Sequence, residues 1–392
     1  MNAPATAPVL FETITTASGH TWGRATLNSP ASLNALSLEM VDVLDPQLKA
    51  WAQDAQVAGV LLDAAGDKAF CAGGDVVGLV RAIRALPPGQ VPPEAPAFFE
   101  REYRLDHRIH TFPKPLICWG HGIVMGGGIG LMAGATHRVV TPKSRLAMPE
   151  INIGLYPDVG GSWLLPRLPG RTGAFLALTG AHLNAADALF AGLADVAVPH
   201  EQHGALLQAL ASARWSDKRM DNSAQVEQLL AQLGAGVQQA EGWPASPLQT
   251  HFERINALFD PAELTQELPQ RLAYLSQELA PRLAALAQDA DPWLAHAGAA
   301  FAKGSPTSAA LGLELQHRAR SLSLADTFRL ELQASVGCCA HPDFAEGVRA
   351  LLIDKDKNPR WQPATLAEVT PVLIEDILRP RFSGAHPLAD LA

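Results

Sequence analysis

Gly120-His121-Gly122-Ile123-Val124-Met125-Gly126-Gly127-Gly128 is followed by Met148-Pro149-Glu150 and then by Pro157-Asp158-Val159-Gly160-Gly161. A glycine triplet lets the backbone approach a ligand with no Cβ in the way, so amide N–H groups can face a ligand oxygen. Two acids eight residues apart, Glu150 and Asp158, follow it. Amides that can hold a developing oxyanion, joined to a carboxylate that can attack a carbonyl or deprotonate water, are the parts that acyl transfer needs. This region therefore reads as an active site.

Outward from it, the amino-terminal half alternates strand and helix patterns. Phe11, Thr13 and Thr15, then Trp22, Arg24 and Thr26, flank Ser18-Gly19-His20 and predict a β-hairpin. Met40, Leu44 and Leu48 mark a helix over 38–51 with Ser37 as N-cap, and Pro46 inside it predicts a kink or an early stop. Val57–Leu62, Pro115–Trp119 and Arg138–Thr141 read as buried strands. Strand, helix, strand in succession predicts an α/β core with right-handed crossovers. The Pro-rich segment Leu86–Pro96 reads as a loop or flap.

From about Glu201 the pattern turns helical. Val226, Leu229, Leu230 and Leu233 repeat at helical spacing, Leu272, Leu275 and Leu279 do the same until Pro281 interrupts, and Leu324, Phe328 and Leu332 mark another amphipathic helix. Ser305-Pro306 predicts an N-cap with proline at the first helical position. The expected organisation is a core over 1–200 that carries the glycines and acids, and a mostly helical region over 201–392.

At 392 residues and 48% hydrophobic content the chain can bury a large core. The formal charge of −9, with basic residues dispersed, supplies no face for nucleic acid or an anionic membrane. Cys71, Cys118, Cys338 and Cys339 have the spacing of neither a disulfide framework nor a zinc site, and reduced thiols are expected. The first 23 residues hold no Lys or Arg, and Gly122–Ala135 is too short for a membrane span, so the expectation is a soluble cytoplasmic protein.

Three further patterns bear on chemistry. Phe70-Cys71-Ala72-Gly73-Gly74-Asp75 follows a strand, and its paired glycines form either a plain turn or a turn whose amides point at a ligand; Cys71, with no histidine at an activating spacing, reads as packing. Gly128-x-Gly130-x-x-Ala133 matches a dinucleotide fingerprint, but Thr141-Pro142 stands where the ribose-binding acid belongs, which argues against NAD. Glu150 and Asp158 could be solvated surface acids, yet both sit in apolar, turn-forming sequence where an ionised group needs a purpose. For Glu102, beside Tyr103, an exposed helix face is the default expectation. No metalloprotease histidine motif and no Gly-x-Ser-x-Gly elbow is present.

Taken together, the motifs at 70–75, 120–128 and 148–161 resemble the crotonase (enoyl-CoA hydratase/isomerase) superfamily, and the resemblance continues through Leu178-Thr179-Gly180, Ser305-Pro306-Thr307-Ser308, Asp343–Ala350, Ile353–Asp356 and Pro359-Arg360-Trp361. It implies a spiral of ββα turns with a helical C-terminal region. It also implies an oxyanion hole from the Gly74 and Gly127 amides, Glu150 as the main catalytic carboxylate, Asp158 as its partner, and Glu102 at the substrate. Gly130 stands where the family's hydratases carry a second glutamate, and Asp158 where they usually carry glycine. Adding water across an enoyl double bond uses both glutamates, whereas thioester hydrolysis needs one base or nucleophile and a group that manages the proton. The resemblance thus implies hydrolysis of a short, branched 3-hydroxyacyl-CoA, with no cofactor because CoA belongs to the substrate. An isomerase or hydratase, and a non-catalytic acyl-CoA-binding subunit, are the rival expectations. Self-association through C-terminal helices is also implied, unless the helical extension occupies that surface.

Overall fold

The computed structural model describes residues 7–392. Its strands are β1 (Val9–Thr15), β2 (Thr21–Leu27), β3 (Val57–Ala64), β4 (Ala69–Cys71), β5 (Leu116–Gly120), β6 (Ile123–Met125), β7 (His137–Val140), β8 (Arg145–Ala147), β9 (Leu183–Asn184) and β10 (Val196–Ala197). One sheet runs β1-β2-β3-β5-β7-β10 and the other β4-β6-β8-β9. The expected hairpin is present, with Glu12 opposite Arg24 and Ile14 opposite Trp22. From β2 onward the larger sheet is parallel. Val57–Leu62 is buried throughout, which is why its sequence runs apolar without alternation.

The chain divides into two compact units. One draws on the chain up to Gly74, Arg104–Leu146 and Leu183–Gln249; the other draws on Asp75–Tyr103, Ala147–His182 and Thr250–Ala392. Both sheets are built in the first unit. Its core includes Trp22, Leu61, Ile117, Trp119 and Trp215, and the helix Arg219–Leu233 adds Val226 and Leu230. The Trp22 and Trp215 rings lie 4.9 Å apart.

The second unit is helical. Ser305 caps the helix Pro306–Ala319 by accepting the Ser308 N–H at 3.0 Å, with Pro306 first in the helix as its sequence predicts. Two proline expectations need correction. The helix Leu38–Gln53 runs unbroken through Pro46, because Met40, Leu44, Leu48 and Trp51 anchor both halves in the core. Residues 268–285 also stay helical past Pro281: a π-turn at Leu275–Leu279 widens the helix just before the proline ring. Leu86–Pro96 is a loop only as far as Pro93, since the helix Glu94–His110 begins within it. Among the described residues no helix is long and apolar enough to cross a membrane.

Candidate active site

In the first unit the two glycine turns meet. β4 ends at Cys71, and the turn through Gly73 and Gly74 is fixed by Leu36, whose N–H donates to the Gly73 carbonyl at 2.8 Å. β6 ends at Met125, Gly126 turns the chain at φ +48°, and Gly127 opens the helix Gly127–Ala133. The first amides of a helix have no acceptor within it, so the Gly127 N–H is available to a ligand. Gly128 brings the turns together: a Cβ there would lie 2.4 Å from the Cys71 carbonyl oxygen. Cys71 itself is fully buried, in keeping with its packing role.

In the second unit the acids gather. Glu150 opens the short 3-10 turn Glu150–Ile153, which Gly154 closes in the left-handed region. That turn is pressed onto the C-terminal helices. A Cβ on Gly154 would meet the Asp343 carbonyl at 2.1 Å, and the Ser305 N–H donates to the Ile151 carbonyl at 3.0 Å. Ser305 Oγ in turn donates to Asp343 Oδ2 at 2.6 Å, so the Ser-Pro-Thr-Ser and Asp343–Ala350 motifs act as the floor under Glu150.

Asp158 lies in a strained turn. Val159, a β-branched residue, is held at φ +52° between Asp158 and Gly160. Glu331, on the helix Leu324–Ala340, secures it by accepting the Gly160 and Ser162 N–H groups at 2.8 Å each. Tyr103 Oη donates to Asp158 Oδ2 at 2.6 Å and contacts Ser335 Oγ at 2.7 Å. Tyr156 Oη donates to the Glu331 carbonyl at 2.7 Å and lies 2.9 Å from Ser335 Oγ.

Glu102 is buried, which corrects the expectation of an exposed helix face. Its helix packs the Glu102 and Tyr103 side into the unit, and Tyr103 reaches Asp158 from there. Glu102 Oε1 and Glu150 Oε2 are buried without a hydrogen-bond partner. A folded protein rarely leaves carboxyl oxygens so, because each costs on the order of 1–3 kcal/mol. Asp63 in the first unit shows the ordinary alternative: equally buried, it accepts from Arg24 at 2.9 Å and Thr26 at 2.6 Å and pairs with His203 at 2.9 Å. Burial pushes Asp63 up, but those partners outweigh it and hold the carboxyl below its usual range.

The acids of the second unit are shifted the other way. Burial, then the charge of Asp158, raises Glu102 to about 8. Burial raises Asp158 to about 6, against the hydrogen bond from Tyr103. Glu150 is pushed well above the carboxylate range by burial, then by Asp158 and Glu102. Glu331 is raised to about 8 by burial and Asp158, despite its two backbone donors. Carboxyls that feel one another's charge in a dry setting are a signature of acid–base sites.

These shifts carry a stability prediction. Glu102 keeps its proton in the fold to about pH 8 and loses it near 4.5 when unfolded, so between those limits the native state binds more protons and stability falls as pH rises. Glu102→Gln cannot ionise. Its unfolding free energy is expected to exceed the parent's by on the order of 3 kcal/mol at pH 8 and to match it near pH 4.5, as read by urea unfolding at both. A difference that does not change with pH would refute the assignment.

Three residues that the sequence reading passed over belong here: Tyr156, Glu331 and Ser335. The signal was present in the helix Leu324–Ala340, where Glu331 and Ser335 share the buried face of Phe328 and Leu332. Among the described residues no group of three or more His, Cys, Asp or Glu could hold a metal ion.

The chain is similar to known proteins over nearly its whole length. The family described as enoyl-CoA hydratase/isomerase matches residues 22–378. A 3-hydroxyisobutyryl-CoA hydrolase, mitochondrial, from Gallus gallus is 39% identical over 362 residues, covering 91% of this chain and 86% of that protein. The protein of the same name from Homo sapiens is 37% identical, covering 89% of this chain and 83% of its own length. Among solved structures, a carnitinyl-CoA dehydratase from Mycobacterium thermoresistibile superposes with a TM-score of 0.77 at 36% identity, covering 95% of this chain and 96% of that one. An enoyl-CoA hydratase from Rhodobacter sphaeroides 2.4.1 does so at 0.75 and 35%, covering 95% and 98%. With its α/β architecture, its helical C-terminal region and a family match across nearly its whole length, the chain belongs to the crotonase-fold enoyl-CoA hydratase/isomerase family.

Proposed function

We propose that this protein is an acyl-CoA thioester hydrolase that converts 3-hydroxyisobutyryl-CoA and water to 3-hydroxyisobutyrate and CoA, a step of valine catabolism. The observation that carries the reading is the buried acid cluster of Glu102, Glu150 and Asp158 in a chain 37–39% identical to relatives that bear that hydrolase name. The Gly74 and Gly127 amides hold the thioester oxygen as it gains charge, an interaction worth roughly 3–4 kcal/mol per donor in comparable sites. Glu150 supplies the electron pair, to the carbonyl carbon directly or through a water whose proton it takes. The C–S bond breaks, and Asp158 orients the 3-hydroxyl or gives its proton to the departing thiolate; after direct attack water cleaves the anhydride on Glu150, and the proton that water loses restores the acid. Glu102 lies at the substrate. The reaction balances with water alone and calls for no metal or redox group.

The solved structures named dehydratase and hydratase favour one rival, addition of water to an enoyl-CoA. Gly130 weighs against it: that position is a buried helical glycine, where the hydratases this chain resembles carry their second glutamate. Four cysteines outside any disulfide fit a reducing compartment such as the cytoplasm, while the curated relatives are named mitochondrial.

Thiol release from 3-hydroxyisobutyryl-CoA, isobutyryl-CoA and crotonyl-CoA tests the reading. The hydroxylated substrate should be cleaved at least about 100-fold faster than isobutyryl-CoA, because a site built to hydrogen-bond a hydroxyl rejects the analogue that lacks it. Consumption of the crotonyl double bond without thiol release would establish the hydratase instead.

A further inference from the structure

The contacts behind Asp158 do not match the number of protons available to fill them. Asp158 Oδ2, Tyr103 Oη, Ser335 Oγ, Tyr156 Oη and the Glu331 carbonyl form a continuous row, with separations of 2.6, 2.7, 2.9 and 2.7 Å. The row has four contacts, and its three hydroxyls bring three protons. With Asp158 ionised, Tyr103 donates to the carboxylate and Tyr156 to the Glu331 carbonyl. The single Ser335 proton then fills only one of its two contacts, leaving two oxygens facing each other. With Asp158 protonated the count closes. The acid donates to Tyr103, Tyr103 to Ser335, Ser335 to Tyr156, and Tyr156 to the carbonyl.

We propose that Tyr103, Ser335 and Tyr156 are positioning residues that form a reversible row of hydroxyls, pointing outward while Asp158 carries its proton and turning inward, at Tyr103, when Asp158 has given it up. The proposal rests on the reading of Asp158 as the acid at the site. Each hydroxyl keeps its own proton and only rotates, because the row ends on a backbone carbonyl that cannot accept one. Outward order stabilises the neutral acid before the thiolate leaves. Inward order places a charge-assisted donor on the new carboxylate afterward. Both forms of Asp158 are thereby accommodated in a site with no cation on the row. The other ionisable groups that face Asp158 are Glu102 from the helix Glu94–His110, Glu150 from its 3-10 turn, and Glu331 and Cys338 from the helix Leu324–Ala340.

The count assigns opposite signs to neighbouring variants. Tyr103→Phe removes the donor to the carboxylate and should raise the Asp158 titration. Ser335→Ala and Tyr156→Phe remove the contact that only the protonated state can fill, leave the ionised state satisfied, and should lower it. Each shift should be about one pH unit, the worth of a net hydrogen bond. Two readouts are needed: the pH profile of kcat/KM for thiol release, and infrared titration of the Asp158 carboxyl stretch, identified by its loss in Asp158→Asn. If no thiol is released, the function reading fails while the infrared titration still decides the row. If Tyr103→Phe does not fold, the other two variants decide it. A role confined to packing would lower the melting temperature of all three and leave the titration in place. That result, or a shift of Ser335→Ala and Tyr156→Phe upward, overturns the proposal.

Discussion

Glu150→Gln is expected to reduce kcat for thiol release by at least about 1,000-fold, equivalent to roughly 4 kcal/mol of lost transition-state stabilisation. The substitution keeps the shape of a side chain only 5% exposed, and it removes the carboxylate to which the proposed mechanism assigns the electron pair. Ordinarily such a loss could be blamed on misfolding. Here the burial that pushes the Glu150 carboxyl well above its usual range makes the charged form costly to the fold, so the neutral amide should leave unfolding midpoints at pH 8 unchanged or higher. Lost turnover with undiminished stability is the expected pair of results. The parent's activity should pass through a maximum in pH, because Glu150 works in the ionised form that the fold resists while Asp158 must still carry the proton it gives. Absence of thiol release by the parent itself, with ligand still bound, would instead identify an acyl-CoA-binding subunit, and unchanged turnover in Glu150→Gln would take the chemistry away from Glu150.

Gly128→Ala should produce the second large effect, from the other unit. The added Cβ would stand 2.4 Å from the Cys71 carbonyl oxygen and 3.0 Å from the Cys71 Cβ. The oxygen belongs to the backbone and cannot swing aside, so the turn that carries Gly74 or the helix start that carries Gly127 must move. Displacing a positioned donor by about 1 Å costs on the order of 100-fold in rate, and overpacking costs about 1–3 kcal/mol of stability. Steady-state kinetics should show the loss in kcat more than in KM. Gly78→Ala is the control: nothing lies within 4 Å of its new Cβ, and the helix Val77–Arg84 should gain up to about 1 kcal/mol. Equal activity in both variants would remove Gly74 and Gly127 from the chemistry.

What the sequence made legible was local. The β1–β2 hairpin follows from its turn, Ser37 and Ser305 announce helix starts, and the unbroken apolar run at 57–62 is a strand buried on both faces. Each of these depends on neighbours a few positions away. Glu102 was illegible because Glu100, Arg101 and Arg104 around it make the segment read as solvated, and what buries it comes from elsewhere in the chain. Glu331 acts 171 positions from the Gly160 amide it holds, a distance over which periodicity carries no information. Pro281 misled for a related reason: a proline ends a helix only if the helix cannot widen ahead of it, and Leu275–Leu279 widens.

The Asp158 turn is secured by Glu331, and the ribosome delivers that residue long after the turn itself has emerged. Until then the nascent chain lacks the group that fixes a bend its own backbone disfavours. A message cut short between codons 158 and 331 would encode every glycine and acid of the proposed chemistry, yet yield a polypeptide without the carboxylate that fixes the Asp158 turn.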